Sequence, residues 1–187
     1  MKKIAAIIIL ILSFCGFSSC EKDDICAEGT STTPRLVIEF YNSRVRDTLK
    51  SVTNLKVIGE GMANGVVFNE SVTTDAQYLS NGNKIYLPLK LDAETVTYSF
   101  ILNFGNADST LVFTDKLQFN YMHKNIYVSR ACGYKMLFDL NNGNGTLPNP
   151  FVLNDNPATN TGNWISDIEV VKYNLENEDE THLKIYF

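Results

Sequence analysis

The stretch that decides the fold class is VTYSFILNF, residues 96–104. Val96, Tyr98, Phe100, Leu102 and Phe104 alternate with Thr97, Ser99, Ile101 and Asn103. In an extended chain, successive side chains point to opposite faces, so this stretch has one apolar face and one more polar face. An alternation with period two is typical of a half-buried antiparallel strand.

The same alternation recurs along the rest of the chain, and no window of eleven or more residues has helical periodicity with capping residues. The alternation is clearest in residues 35–41, 55–57, 84–91, 116–121 and 134–140. Turn signals such as Asn81-Gly82-Asn83 and His123-Lys124-Asn125 separate the runs. Pro88 cannot donate to a sheet ladder, which predicts an edge strand or a bulge there.

Many short strands at this spacing predict an all-β fold. We expect an antiparallel two-sheet immunoglobulin-like sandwich, with a jelly roll as the alternative. The Cys…Trp…Cys spacing of true immunoglobulin domains is absent from the sequence.

The N-terminus has the composition of a lipoprotein signal. Met1-Lys2-Lys3 is followed by an apolar run over residues 4–14, then by small residues and Cys20. The run is shorter than the roughly 20 residues that span a bilayer. Residues 17–20 resemble a lipobox, so we expect lipidation at Cys20; an ordinary cleavage site with an incidental Cys20 is the alternative.

These signals divide the chain into three parts. Residues 1–19 are predicted to be the signal peptide, residues 20–33 the lipidated cysteine and its tether, and residues 34–187 a single sandwich domain. Glu21-Lys22-Asp23-Asp24 resembles the export tag of Bacteroidetes lipoproteins, which predicts an outer-membrane protein exposed at the cell surface. A solvated charged tether on a periplasm-facing anchor is the alternative.

Two cysteines remain in the mature chain, Cys26 and Cys132. An even pair in an oxidising compartment favours a disulfide. The alternative is two buried free thiols, which pack as small apolar residues.

The sequence contains no recognisable catalytic or cofactor-binding motif. His123 and His182 are the only histidines, and neither lies in a known nucleophile, zinc or phosphate motif. Asp139, Asn141 and Asn144 carry oxygen ligands, but their spacing does not match a calcium loop. We therefore assign no catalytic residue, metal or cofactor. The formal net charge of -5 and the lack of a basic stripe argue against nucleic acid as a partner.

Residues 141–163 form a stretch rich in Asn, Gly and Pro, and loops of this length are usually functional or disordered. Trp164, the only tryptophan, follows this stretch. We take Trp164, Asn141 and Asn144 as candidate ligand-binding residues. The alternative for Trp164 is an anchor in the core or under the loop, because aromatic residues in β proteins mostly pack inside.

Three segments together resemble one protein family: residues 20–26, residues 33–41 and Arg130-Ala131-Cys132-Gly133-Tyr134. The chain resembles an uncharacterised Bacteroidetes lipoprotein family, domain of unknown function 6452. The resemblance implies a membrane-anchored protein in which Cys26 and Cys132 are paired, and it implies no activity.

The sequence thus favours a non-catalytic structural or accessory module of an envelope complex, attached to the membrane through its lipid. A surface binding protein for a glycan or peptide is the alternative. A hydrolase is a third hypothesis, which a cleft holding a histidine beside an acidic residue would support.

Overall fold

The computed structural model describes residues 25–26, 32–141, 143, 146–153 and 164–187. Within these ranges it has eleven strands and two short 3-10 helices, at Asp75–Tyr78 and Ser109–Leu111. The strands are β1 (Leu36–Tyr41), β2 (Leu55–Gly59), β3 (Leu79–Ser80), β4 (Lys84–Leu87), β5 (Thr95–Leu102), β6 (Phe113–Ser129), β7 (Gly133–Leu140), β8 (Phe151–Leu153), β9 (Asp167–Val170), β10 (Asn174–Leu175) and β11 (Leu183–Tyr186).

The first sheet has the strand order β4-β1-β11-β9. Its pairs are antiparallel except for β1 and β11, which run parallel with Ile38 opposite Leu183. Parallel neighbours need a long connection between them. All strands of the second sheet lie between β1 and β11 in the sequence and are part of this connection. The first and last strands of the described chain are therefore neighbours in the first sheet.

The second sheet has the order β10-β7-β6-β5-β2-β3, and β8 pairs with β6. Residues 96–102 of the stretch VTYSFILNF lie in β5, which pairs with β6 from Thr95 opposite Asn120 to Leu102 opposite Phe113. The alternate residues of β5, Val96, Tyr98, Phe100 and Leu102, are buried, as the alternation predicted. The alternation predicted through Phe104 stops earlier, because Asn103 has a φ of +57° and begins a turn.

One continuous apolar core contains side chains from both sheets. Leu36, Ile38 and Phe40 come from the first sheet, and Phe100 and Phe119 from the second. All five are fully buried. Apolar faces of two sheets that share one core define a β-sandwich, so the predicted all-β, two-sheet fold is confirmed.

The chain divides into two compact units. The larger comprises residues 31–126 and 135–187 and holds the core. The smaller comprises residues 1–30 with Tyr127–Tyr134, of which the structure describes Ile25, Cys26 and the hairpin tip between β6 and β7.

Several local predictions need correction. The run expected over residues 84–91 ends as a strand at Leu87, because Pro88 follows; its position at the sheet edge is confirmed. The turn predicted at residues 123–125 is wrong, since β6 continues to Ser129 and the hairpin turns at residues 130–132. Gly133 supports this turn with a φ of +69°, a left-handed conformation that glycine adopts without steric cost.

The segment predicted as one long loop, residues 141–163, contains β8, which pairs with β6. β8 has only three residues, Phe151 to Leu153, and all three are apolar. An alternation with period two cannot be recognised in so short a strand. The acidic segment 176–180 connects β10 of the second sheet to β11 of the first.

Candidate functional site

The disulfide predicted from the sequence is confirmed: Cys26 and Cys132 are bonded, with their Cα atoms 4.9 Å apart. Cys132 lies in the turn between β6 and β7, where its backbone N–H donates to the Ser129 hydroxyl at 3.0 Å. The disulfide therefore links the N-terminal segment covalently to the hairpin tip.

Two tyrosines of the same unit flank this turn with their rings largely in solvent. Tyr127 is 57% exposed and Tyr134 is 70% exposed. Their ring centroids lie 5.3 Å apart in a T-shaped arrangement, the geometry that aromatic pairs prefer. Ile25, next to the disulfide, is 82% exposed. The unit thus exposes three large side chains that proteins usually cover.

Trp164 lies in the core and joins the two sheets. Its indole N–H donates to the carbonyl oxygen of Phe100 on β5 at 3.2 Å. Its ring contacts Phe40 on β1 and Phe187, with centroid distances of 6.2 and 5.2 Å. The next residue, Ile165, donates its N–H to the buried carboxylate of Asp115 at 2.9 Å. These contacts show that Trp164 anchors the core. Ligand binding by Trp164 stays a prediction.

Of the other predicted site residues, the structure describes Asn141 and the two disulfide cysteines. Asn141 is buried, and its N–H donates to the Asn120 carbonyl at 3.0 Å. Its side-chain Oδ1 has no partner among the described residues. Asn144 and Cys20 lie outside the described residues, so binding at Asn144 and lipidation at Cys20 stay predictions.

His182 has a structural environment. Its Nδ1 accepts a hydrogen bond from the backbone N–H of Val37 at 2.9 Å, and the side chain is almost completely buried. Burial, assisted by the nearby Lys172 charge, lowers its pKa to about 4. The imidazole is therefore neutral near pH 7, with its hydrogen on Nε2.

Within the described ranges, no group of three or more His, Cys, Asp or Glu side chains is placed to hold a metal ion, and this includes His123 and His182. Within those same ranges, no helix has the length and apolarity needed to cross a bilayer.

A small apolar cavity of about 230 Å³ opens between the end of β2, the start of β5 and the segment after β4. Its wall is held by two buried tyrosines. Tyr98 donates its hydroxyl to the Pro88 carbonyl, and the Tyr121 hydroxyl accepts from the Lys90 N–H at 2.9 Å and donates to the Lys90 carbonyl at 3.1 Å. The lining residues are Gly59, Glu60, Met62, Pro88, Leu89, Lys90, Val96 and Tyr98.

Sequence reasoning missed this cavity because three separate segments build it. Residues 59–62, residues 88–90 and β5 meet only in the folded chain. Residues 59, 60 and 62 also line a second, polar pocket, together with Thr97, Ser99 and Lys116. Trp164 and Asn141, the predicted ligand-binding residues that the structure describes, are not among the lining residues of either cavity.

The outer face of the first sheet carries a row of alternating charges. Lys84, Glu39, Lys184 and Glu169 are cross-strand neighbours in successive strands. Lys84 Nζ lies 2.9 Å from the Glu39 carboxylate. Although burial raises the pKa of Glu39, hydrogen bonds from Lys84, Tyr41 and Thr181 outweigh it, and the net shift is downward.

Aromatic rings continue the same face. Tyr41 and Tyr186 pair across β1 and β11 with centroids 5.8 Å apart. The Arg46 guanidinium lies 3.7 Å from the Tyr186 ring and 2.8 Å from the Asp167 carboxylate. The polar groups of this face are thus largely paired with one another, which favours a stable solvated surface over a binding site.

Comparison with known protein families places the chain in a family. The family model described as Family of unknown function (DUF6452) matches residues 54–187. No curated protein and no solved structure matches the chain. The matched range begins just before β2 and includes the cavity, the hairpin tip and Trp164, whereas β1 and Cys26 precede it.

Proposed function

The chain belongs to the family of unknown function DUF6452, and from its own residues we propose that it is a lipid-anchored, non-catalytic module of the Bacteroidetes cell envelope. In this proposal, Cys20 carries the lipid on the outer membrane, and the sandwich is a structural element or an accessory subunit of an envelope complex at the cell surface.

The observation that supports this proposal is the Cys26–Cys132 disulfide. Disulfides persist in oxidising compartments such as the periplasm and the cell surface. Cys26 is the sixth residue after Cys20, so the bond ties the fold to the chain immediately after the predicted lipid. A protein attached by a lipid benefits from a firm link at that point, since a frayed N-terminus would otherwise separate anchor from domain.

Anchoring is tested by labelling cells with radioactive palmitate and comparing the native protein with the variants Cys20→Ser and Cys26→Ser. We expect label in the native protein and in Cys26→Ser, and none in Cys20→Ser. Cys26→Ser removes a cysteine and the disulfide but keeps the predicted lipid site, so it controls for the loss of any other cysteine. Unlabelled native protein, or a labelled Cys20→Ser variant, would refute the anchor.

The accessory role is tested by affinity isolation of the tagged full-length protein in mild detergent. We expect other envelope proteins to be recovered with it in a fixed ratio. Recovery of the protein alone across several detergents and salt concentrations would count against a complex. Digestion of intact cells with an added protease tests sidedness, because a surface-exposed domain is cleaved and a periplasm-facing one is protected.

The apolar cavity favours a second candidate function, a surface binding protein for a peptide. Its volume of about 230 Å³ is below the 300–1,000 Å³ of typical small-molecule pockets, and suits one bulky apolar side chain of a peptide. Apolar walls offer few of the hydrogen bonds that a glycan requires.

This second candidate is tested by selecting peptides from a random library displayed on phage against the full-length protein. Leu89→Trp should abolish binding of the selected peptides, because Leu89 lines the cavity and an indole would fill it. Leu91→Trp is the matched control, since Leu91 is 55% exposed and outside the lining. Equal binding to both variants would retire the cavity as a site.

A further inference from the structure

We propose that the hairpin tip between β6 and β7 lies at the membrane–water interface, with Tyr127 and Tyr134 in the lipid headgroup layer. The inference deepens the proposed function and rests on it, because it requires a lipid on Cys20. It adds a second contact with the bilayer, made by side chains, to the contact made by the acyl chains.

The first step is the reach of the chain. Cys26 is the sixth residue after Cys20, and six residues span at most about 22 Å even when fully extended. The disulfide then places the Cα of Cys132 only 4.9 Å from that of Cys26. Acyl chains in the bilayer would hold Cys20 at its surface, so covalent geometry keeps the hairpin turn near the membrane in every conformation of the tether.

The second step is the chemistry of the tip. Among the exposed large apolar residues in the described ranges, the two with the greatest exposure are Ile25 at 82% and Tyr134 at 70%, and both belong to this small unit. Tyr127 adds a third side chain, 57% exposed. Exposed apolar groups gathered in one place mark an interaction surface.

The third step is the kind of surface that these residues suit. A tyrosine ring is apolar while its hydroxyl forms hydrogen bonds, and tyrosine is enriched where a protein meets the headgroup layer for that reason. The T-shaped contact between the Tyr127 and Tyr134 rings holds both in place before they meet lipid. Less side-chain entropy is therefore lost when they enter the interface.

The experiment uses the full-length lipidated protein in phosphatidylcholine vesicles that contain brominated lipid, which quenches nearby tryptophan. Tyr127→Trp reports on the tip, and Tyr173→Trp is the matched control, since Tyr173 is 40% exposed in the larger unit. Fluorescence of the native Trp164, which is 8% exposed, is common to all proteins and is subtracted.

We expect the tryptophan at position 127 to lose most of its fluorescence and the one at position 173 to keep it. Absent quenching at position 127, or equal quenching at both positions, would overturn the inference. In a Tyr127→Trp protein that also carries Cys26→Ser and Cys132→Ser, quenching should fall sharply, because the lipid then no longer restrains the hairpin. Unchanged quenching there would overturn the argument from reach.

The two levels of the proposal fail differently. A protein that carries no palmitate and does not bind vesicles refutes the lipid anchor. A protein that carries palmitate and binds vesicles, but whose tryptophan at position 127 is unquenched, refutes only the placement of the hairpin tip.

Discussion

Single side chains connect distant parts of this sandwich. Trp164 reaches Phe100 on one sheet through its N–H and Phe40 on the other through its ring. His182 accepts from the Val37 N–H and so joins the start of β11 to β1. Both side chains make structural contacts in the core of the fold.

Replacing Trp164 with alanine should destabilise the protein strongly. The change leaves a cavity in the core and removes the donor to the Phe100 carbonyl, which together cost about 3–5 kcal/mol of unfolding free energy. Urea unfolding followed by circular dichroism measures this loss. Tyr173→Ala, at an exposed ring, should change stability little; equal effects in the two variants would show that Trp164 is not an anchor.

Stability should fall on mild acidification because of His182. Its pKa is about 4 in the fold and about 6.5 in an unfolded chain. Between these values the unfolded state binds a proton that the native state does not, so this group's contribution is complete above pH 6.5 and decreases as the pH falls. The loss should reach about 2 kcal/mol on going from pH 7 to pH 5.

The measurement is the urea midpoint at both pH values, compared with that of His182→Asn. Asparagine keeps an acceptor near the Nδ1 position and does not titrate, so the variant should show a smaller loss. An identical loss in the variant would assign the pH dependence to other groups, such as the acidic side chains with lowered pKa values, Glu39 and Glu178.

At the scale of elements, strand continuity depends on pairing more than on local composition. The polar triplet His123-Lys124-Asn125 looks like a turn in the sequence, yet it lies inside β6. Lys124 and Asn125 are exposed, whereas His123 is half-buried with its Nδ1 out of solvent, and the backbone hydrogen bonds of the strand continue through all three residues because they do not depend on the side chains. The row Lys84, Glu39, Lys184 and Glu169 is the corresponding case in the first sheet, where charges stabilise the solvent face of four strands.

Lys184→Glu should weaken the first sheet. The new carboxylate would face Glu39 on one side and Glu169 on the other, and like charges directly opposite each other cost roughly 0.2–1 kcal/mol per pair. For the two pairs we expect a loss of about 0.4–2 kcal/mol by urea unfolding at low salt, and a smaller loss at high salt because of screening. Lys124→Glu, an exposed change on β6 outside the row, is the control and should be close to neutral.

At the scale of the whole molecule, one covalent bond closes most of the chain into a loop. Cys26 and Cys132 are separated by 106 positions. Such a bond restricts the unfolded chain more than the folded one, and for a loop of about 100 residues chain-entropy theory gives about 4.7 kcal/mol.

The double variant Cys26→Ser with Cys132→Ser should therefore unfold at a lower urea concentration, with a loss of up to about 4.7 kcal/mol. Unfolding the native protein under reducing conditions should give the same curve as the variant, and the reductant should leave the variant itself unchanged. Coincident curves for oxidised and reduced native protein would contradict the prediction.

The sequence by itself determined the fold class and most of the strand β5, because period-two alternation reports a half-buried strand directly. It favoured a bond between Cys26 and Cys132 but left two free thiols as the alternative, and the fold decided between them by bringing the two Cα atoms to 4.9 Å. The resemblance to an uncharacterised family is confirmed over residues 54–187, while its Bacteroidetes and lipoprotein parts stay proposals.

Tertiary structure alone decided the parallel pairing of β1 with β11, the cavity beside Gly59 and the place of Trp164 in the core. Each depends on residues far apart in the chain, and alternation says which face of a strand is buried but not which strand will lie beside it. The exposed hairpin tip belongs to the same class. In the sequence, Tyr127 and Tyr134 look like ordinary strand residues. Only the fold shows that their rings are exposed, close to the disulfide that connects the hairpin to the N-terminal segment.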